Sequence, residues 1–360
     1  MSTLRILNSF GERPEDVERY LESSRRCNSD AAQIASLNHR AELGISRAWS
    51  PLELDNLYRN RDRILMRFYE TVENHCDKFD VFLVNHENVY HPEFIKKLGK
   101  KIYTILYTGD DPEGSYHCSQ PYVWAFDHVF CYAVYYDADT LMVDKLKEWG
   151  ARRADLRPHG YQFYRHDAQL DEDELFRKAR DIDILYVGGP YNKIEKLLYL
   201  RRHFGKRFHL YGHWGGIRSA LGRARRYGWL EWVHPLPPQD FVQTYQRAKI
   251  GLNMHMSYGP SNLRMWELPI NGVMQVTDNP KGTKTLLEIE KEVVCYENGD
   301  MEEAGRLIDY YLTHEQERIN MAREGYRKVK AKYSFETGFV SSLRSINAGI
   351  GEKRAQRQLV

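Results

Sequence analysis

No two cysteines form a CxxC pair in this 360-residue chain, and the five present, at positions 27, 76, 118, 131 and 295, are odd in number and irregular in spacing. That pattern argues against a disulfide framework or a zinc ribbon and fits a reducing compartment, so a cytoplasmic location is expected. Long apolar runs are also missing. The longest, "VFCYAVYY" at 129–136, is far too short to span a bilayer. The opening "MSTLRILNSFGERPE" has no charged segment followed by an apolar core, so no secretory signal is expected. Neither sign of charge dominates: 52 Lys and Arg face 50 Asp and Glu, for a net charge of +2. Such a balance supports neither a globally basic nucleic-acid binder nor an acidic metal buffer. There is no repeat of 20–50 residues to suggest a solenoid, and neither GxGxxG nor a Walker loop occurs.

What is present is ordinary globular composition, 42% hydrophobic and 28% charged, at a length that favours two domains. Tyrosine is abundant, at 25 residues. Tyrosine-rich surfaces contact flat polar ligands such as sugars or bases, and tyrosine also fills interfaces between elements.

The order of local patterns is more informative. "LRILNSF" (4–10), "DVFLVN" (80–85), "IYTILYT" (102–108) and "HVFCYA" (128–133) are compact runs rich in β-branched and aromatic residues. A polar, mixed-helical region separates the first two, and helical stretches such as "PEFIKKLGKK" and "DADTLMVDKLKEWG" separate the others. Such alternation predicts a parallel sheet covered on both faces. Around 155–180 the pattern breaks at Pro158, Gly160 and a charge-rich segment, which reads as an interdomain connection. It then restarts with "IDILYVGG", "FHLYGH", "IGLNMH", "VMQVTD" and "KEVVCYE" as strand signals. Helices fill the gaps, one closed by Gly205 and one opened by prolines and Asp240. Helices are predicted from 301 to about 331, and the tail "GEKRAQRQLV" is expected to fray. The expected fold class is therefore α/β, two Rossmann-like domains facing a cleft, with ligand beyond the carboxyl ends of the strands.

Two short stretches carry chemistry. In "LYVGGPYNKIEKLL", Gly188 and Gly189 stand between a strand and a helix. Glycine permits close backbone approach, and free N–H groups at a helix start attract phosphate; a tight strand-to-helix turn would look the same. Lys193, one turn on, is either a cation for a diphosphate or an exposed helix lysine. In "SYGPSNLRMWELPING" (257–272), Gly259-Pro260 delivers the chain to Ser261 or Asn262 as N-cap, and Arg264 and Glu267 follow three residues apart. A helix start with an arginine suits a diphosphate, and a carboxylate slightly deeper suits paired ribose hydroxyls. An intrahelical Arg–Glu ion pair on a solvated face is the alternative. The arginine-rich "GIRSALGRARRYG" (216–228) contains no acid and reads as a solvated basic face or as a surface for a phosphate-rich acceptor or a membrane.

With these blocks in place, residues 180 to 340 resemble glycosyltransferases of the GT-B fold, specifically the group similar to the spore-maturation protein CgeB. The resemblance rests on "LYVGG", "LYGHWG", "AKIGLNMH", "SNLRMWELPINGVMQVTD", "EVVCYENGDMEEAGRLIDYYL" and "RKVKAKYSFETGF". The amino-terminal half is similar only through "YTGDDPE" and "FDHVFCY".

The resemblance implies transfer of a sugar from a nucleotide diphosphate sugar, with a UDP-sugar expected, to an acceptor hydroxyl or similar nucleophile. The acceptor could be a glycan, protein, small molecule or nucleic acid. No cofactor and no metal are expected. An epimerase or hydrolase on the same fold, or a non-catalytic nucleotide-sugar binder, remains as an alternative. The expected domains are 1–160 on the acceptor side, 161–335 for the nucleotide sugar, and 336–360 as a helix crossing back plus a frayed tail. Glu267 corresponds to the glutamate that holds the nucleotide ribose, and Asn262 and Arg264 to the family's helix-start residues near the diphosphate. Where many retaining relatives carry an acid seven positions before that glutamate, this chain has Pro260. His159 and Tyr161 sit in a loop that the resemblance brings toward the donor. In the first half, Asp110, Asp111 and His86 follow strands. They are the candidates for a base on the acceptor, although Asp-Asp-Pro also builds turns.

Overall fold

The structure, a computed structural model, describes residues 3–11, 30–85, 89–108, 119–161, 171–259 and 261–358. The chain forms two compact units, one of residues 1–158 with 335–360 and the other of residues 159–334. Each is built on a parallel sheet, so the α/β, doubly Rossmann-like expectation holds.

In the first unit the strands are β1 (Leu4–Phe10), β2 (Ala32–Asn38), β3 (Val81–Asn85), β4 (Tyr103–Thr108), β5 (His128–Cys131) and β6 (Ala154–Leu156). They lie in the order β2-β1-β3-β4-β5-β6 and pair in parallel throughout. The period of two explains why these strands read as continuous apolar runs. In β3, Phe82 and Val84 face one buried cluster while Val81 and Leu83 face the other. The Arg63–Cys76 helix covers the first face. Its buried residues Leu65, Phe68, Tyr69, Val72 and Cys76 follow helical spacing, and the Asp62 carboxylate caps it by accepting from the Ile64 and Leu65 N–H groups.

The second face is covered from the far end of the sequence. The Phe335–Gln358 helix lays Phe339, Leu343, Ile346 and Ile350 against residues of β1, β3, β4 and β5. The tail expected to fray is thus helical through Gln358. It is held by Lys353, which donates to Ile102 O and pairs with Asp127, and by Arg357, which donates to Gly99 O and Lys100 O. Strand β2, in the region read as mixed-helical, and the short β6 are additions to the expected strands.

In the second unit β7 (Ile182–Val187), β8 (Phe208–Tyr211), β9 (Ala248–Asn253), β10 (Met274–Thr277) and β11 (Val294–Cys295) lie in the order β11-β10-β9-β7-β8. Ile184 and Tyr186 face one core and Leu185 the other. The Ile194–Phe204 helix ends at Gly205 as the sequence predicts. The Arg264–Ile270 helix closes down on β9 where Gly251 leaves room. A Cβ there would sit 2.2 Å from Leu268 Cδ2. The order in which strands are added reverses between β7 and β9, because β8 lies on one side of β7 and β9 to β11 lie on the other. That is the topological switch point, where open α/β sheets bind ligands. No helix among the described residues is long and apolar enough to cross a membrane.

Candidate functional site

Four elements meet at the carboxyl ends of β7 and β9. The Gly188-Gly189 turn leaves β7, and Asn253 and Met254 end β9. Lys193 ends the turn Tyr191–Lys193 before the Ile194–Phe204 helix, and the segment 261–264 enters the Arg264–Ile270 helix. The guanidinium of Arg264 ties them together. It donates from Nη1 to Val187 O at 2.7 Å, from Nη2 to Met254 O at 3.0 Å and from Nε to Asn253 Oδ1 at 3.2 Å. It also lies over the Tyr186 ring, 4.7 Å from the centroid. Lys193 Nζ donates to the same Met254 carbonyl at 3.3 Å and is only 3% exposed. The exposed helix lysine weighed from the sequence is therefore not what forms.

The glycines are explained by this packing. A Cβ on Gly188 would lie 2.1 Å from Arg264 Nη1, and a Cβ on Gly189 would lie 2.4 Å from the Tyr191 ring. Backbone bonds fix the turn, since Gly188 N–H donates to Tyr211 O at 2.8 Å and Gly188 O accepts from Trp214 Nε1 at 2.8 Å. The Gly188 N–H is thus already engaged, contrary to the expectation of free donors there.

The entry to the Arg264–Ile270 helix also differs in detail. Leu263 is the nominal cap and makes no side-chain bond. Asn262 does the capping from one residue earlier, accepting from Met265 N–H at 3.2 Å, while its amide donates to Asn253 Oδ1 at 2.8 Å. Ser261 has φ at 111°, a region non-glycine residues seldom occupy. Its fully buried hydroxyl has no hydrogen-bond partner among the described residues. Arg264 and Glu267 form no ion pair with each other. Glu267 turns inward, 3% exposed, and accepts from the Tyr245 hydroxyl at 3.5 Å.

One pair was not singled out from the sequence. His255 and Asp278 follow β9 and β10 and are both buried. His255 Nδ1 lies 2.6 Å from Asp278 Oδ1, and the His255 N–H donates to both carboxylate oxygens at 3.1 Å. Asn253 links this pair to Arg264, with its Nδ2 3.5 Å from His255 Nε2. The available signal was position, a His and an Asp each placed just after a strand at the switch-point end of the sheet.

Tyr161 is buried beside Ser334, its N–H donating to Tyr333 O at 2.8 Å, and His159 lies two residues before it. Asp110, Asp111, His86 and Pro260 lie outside the described residues. Arg223 does not belong to a solvated basic face. It is buried and donates to Trp214 O and Glu231 O, leaving Arg218, Arg225 and Arg226 on the surface of that helix. Among the described residues no group of three or more His, Cys, Asp or Glu is placed to hold a metal ion.

Residues 193–338 match the family model described as Glycosyl transferase-like. A comparison with curated protein sequences found no match. Among solved structures, the chain is similar to Anabaena HepE in complex with UDP-glucose, at 12% identity and TM-score 0.59, over 98% of this chain and 100% of that one. It is similar to sucrose-phosphate synthase from Thermosynechococcus elongatus at 12% identity and TM-score 0.63, over 99% of each chain. It is also similar to a putative UDP-N-acetylglucosamine 2-epimerase from Listeria monocytogenes at 13% identity and TM-score 0.52, over 97% of each. At such identities the likeness shows the fold, two Rossmann-like domains of the GT-B kind.

Proposed function

We propose that this protein is a GT-B glycosyltransferase, of the group similar to CgeB, that moves a sugar from a nucleotide diphosphate sugar to an acceptor hydroxyl. The carrying observation is the convergence of Gly188, Lys193, Asn262 and Arg264 on the switch point of the second sheet, within the segment that matches the glycosyltransferase family model. The HepE structure with UDP-glucose, similar along its whole length, supports a UDP-sugar donor.

In this reading the acceptor oxygen attacks the anomeric carbon. The bond from that carbon to the diphosphate breaks, and the diphosphate leaves with the electron pair. Positive charge near the leaving group lowers the barrier. Lys193 and Arg264 supply that charge from positions fixed by their bonds to the strand-end carbonyls of Val187 and Met254. The buried Ser261 hydroxyl is a group that a bound donor could satisfy, and Glu267 is assigned to the ribose. Asp110, Asp111 and His86 are kept as the proposed acceptor-side base candidates, and His159 and Tyr161 as donor-loop candidates.

The test is a thermal-shift screen with UDP-, GDP-, TDP- and ADP-sugars, followed by product analysis with the labelled sugar that binds. A rise in melting temperature with one nucleotide class is expected, and sugar should then appear on a second substrate. Release or epimerisation of the sugar without an acceptor would replace the transferase with a hydrolase or epimerase. No shift with any nucleotide sugar would remove the reading altogether.

A further inference from the structure

At the opposite end of the second sheet, before the amino-terminal ends of β7, β9 and β10, lies a cavity of about 240 Å³. Its lining includes Arg177, Lys178, Arg180, Lys249 and Arg318 against one acid, Glu315. Two of the cations are set into the wall. Arg180 donates from Nη1 to Ala248 O at 2.6 Å and from Nη2 to Asn271 O at 3.1 Å. Arg318, 5% exposed, donates from Nη1 to Tyr311 O at 3.0 Å and from Nη2 to Glu315 Oε1 at 3.0 Å. Lys249 is paired with Asp183, and Lys178 bonds the Gln246 amide oxygen.

Among the described residues no carboxylate lies within 4.0 Å of Arg180. Burial, with a further contribution from the like charge of Arg318, pulls its pKa down to about 10. Glycine at 272 is what makes room for it, since a Cβ there would stand 2.6 Å from Arg180 Nη2. Two guanidinium groups lining one hollow, one of them with no carboxylate within 4.0 Å, are an unfavourable arrangement until an anion enters it.

We propose that this cavity binds a small phosphate dianion, either free phosphate or the phosphate of a small monoester. Guanidinium forks match phosphate oxygens, and the cavity is smaller than those that take drug-sized ligands, which excludes a whole nucleotide sugar. The site is separate from the switch-point cluster and does not depend on the proposed reaction. One element spans the two. Asn271, whose carbonyl Arg180 holds, caps the Arg264–Ile270 helix, and its side chain donates to Glu267 O at 2.8 Å.

The test is calorimetric titration of the full chain with inorganic phosphate and with glycerol phosphate at low ionic strength. Four proteins are compared: wild type, Glu315→Gln, Arg318→Gln and Ile319→Glu. Glu315 is largely exposed, so Glu315→Gln leaves the fold alone and removes the anion that competes for Arg318. It should tighten phosphate several-fold. Arg318→Gln should weaken it about tenfold. Ile319→Glu places a carboxylate in the cavity lining and should abolish binding. If Arg318→Gln does not fold, the other two variants decide. Tighter binding of glycerol phosphate than of phosphate identifies a monoester as the ligand, and the reverse order identifies free phosphate. Wild type that binds neither anion, or an isotherm that is the same in all folded variants, overturns the assignment.

Discussion

A methyl group added at residue 188 should be costlier while Arg264 lies beneath it than after Arg264 is removed. The added Cβ would meet Arg264 Nη1 at 2.1 Å, the Tyr186 hydroxyl at 3.2 Å and Arg264 Cζ at 3.3 Å. The tip of a long side chain normally steps aside cheaply. This one cannot, because three hydrogen bonds and the Tyr186 ring hold it. Gly188→Ala must therefore break a charge-assisted bond, at about 1.5–3 kcal/mol, or shift packed backbone, at about 1–3 kcal/mol. Arg264→Met alone takes the guanidinium from the Val187 carbonyl and leaves the Met254 carbonyl to Lys193 and the Asn253 oxygen to Asn262, and should cost about 1–3 kcal/mol. In the double variant the Cβ enters space the guanidinium has left, so the clash is relieved while the strain at φ 158° and the contact with the Tyr186 hydroxyl remain, giving a coupling of roughly 1–2 kcal/mol. The assay is equilibrium urea unfolding of the four chains followed by tryptophan fluorescence. Trp214, which donates to Gly188 O, reports on the turn itself. Costs that add to within about 0.5 kcal/mol would refute the claim that this glycine exists for the arginine.

The remaining predictions concern ligand, pH and thiols. Under the proposed function, Glu267→Ala should weaken UDP binding about tenfold or more, and unchanged affinity by calorimetry would remove the ribose assignment. His128 is buried in the first unit with Nε2 2.9 Å from Asp155. Burial outweighs that carboxylate and pulls its pKa from 6.5 to about 4. Between those values the unfolded chain binds a proton that the folded chain does not, so stability is complete above pH 6.5 and falls as pH drops toward 4. The loss should be on the order of 2–3 kcal/mol. A denaturation profile as steep in His128→Asn as in the wild type would contradict this. Burial pushes the Cys76, Cys131 and Cys295 thiols up to about 12. With Cys27 and Cys118 replaced by serine, the native chain should therefore react slowly with Ellman's reagent at pH 8 and the urea-unfolded chain rapidly. Rapid native labelling would refute it.

Strand positions were legible because burial on both faces writes itself as unbroken apolar runs, as in "DILYV" and "DVFLV". Strand β2 was not, because "AQIASLN" is half-exposed at the edge of its sheet and carries no such run. The helical tail was missed for a similar reason. Its last two turns hold by Lys353 and Arg357 reaching backbone carbonyls and Asp127, contacts between residues 226 to 258 positions apart that no local pattern encodes. In the candidate site, Gly188, Lys193, Asn262 and Arg264 could be named because each follows or precedes a strand signal. The His255–Asp278 pair shows the limit of that logic, since its partners are 23 residues apart and meet only because β9 and β10 are neighbours.

Arg264 was expected as a diphosphate ligand and is found as a brace, yet the two roles point in the same direction. Parallel strands end in carbonyls, so the floor of a switch-point site presents partial negative charge to whatever binds there. A diphosphate would be repelled by that floor. Here two of those carbonyls, of Val187 and Met254, are taken up by Arg264, and Lys193 shares the second. Each cation offsets the nearest oxygens and still leaves a net positive field beyond them, in a partly buried place where charge is poorly screened. Bonding to backbone rather than to ligand also fixes the charge before anything arrives, so no reorganisation is required at the moment charge develops on a leaving group. A residue with this geometry would show its importance in turnover as much as in binding, and its removal would disturb the turn at Gly188 as well as the field.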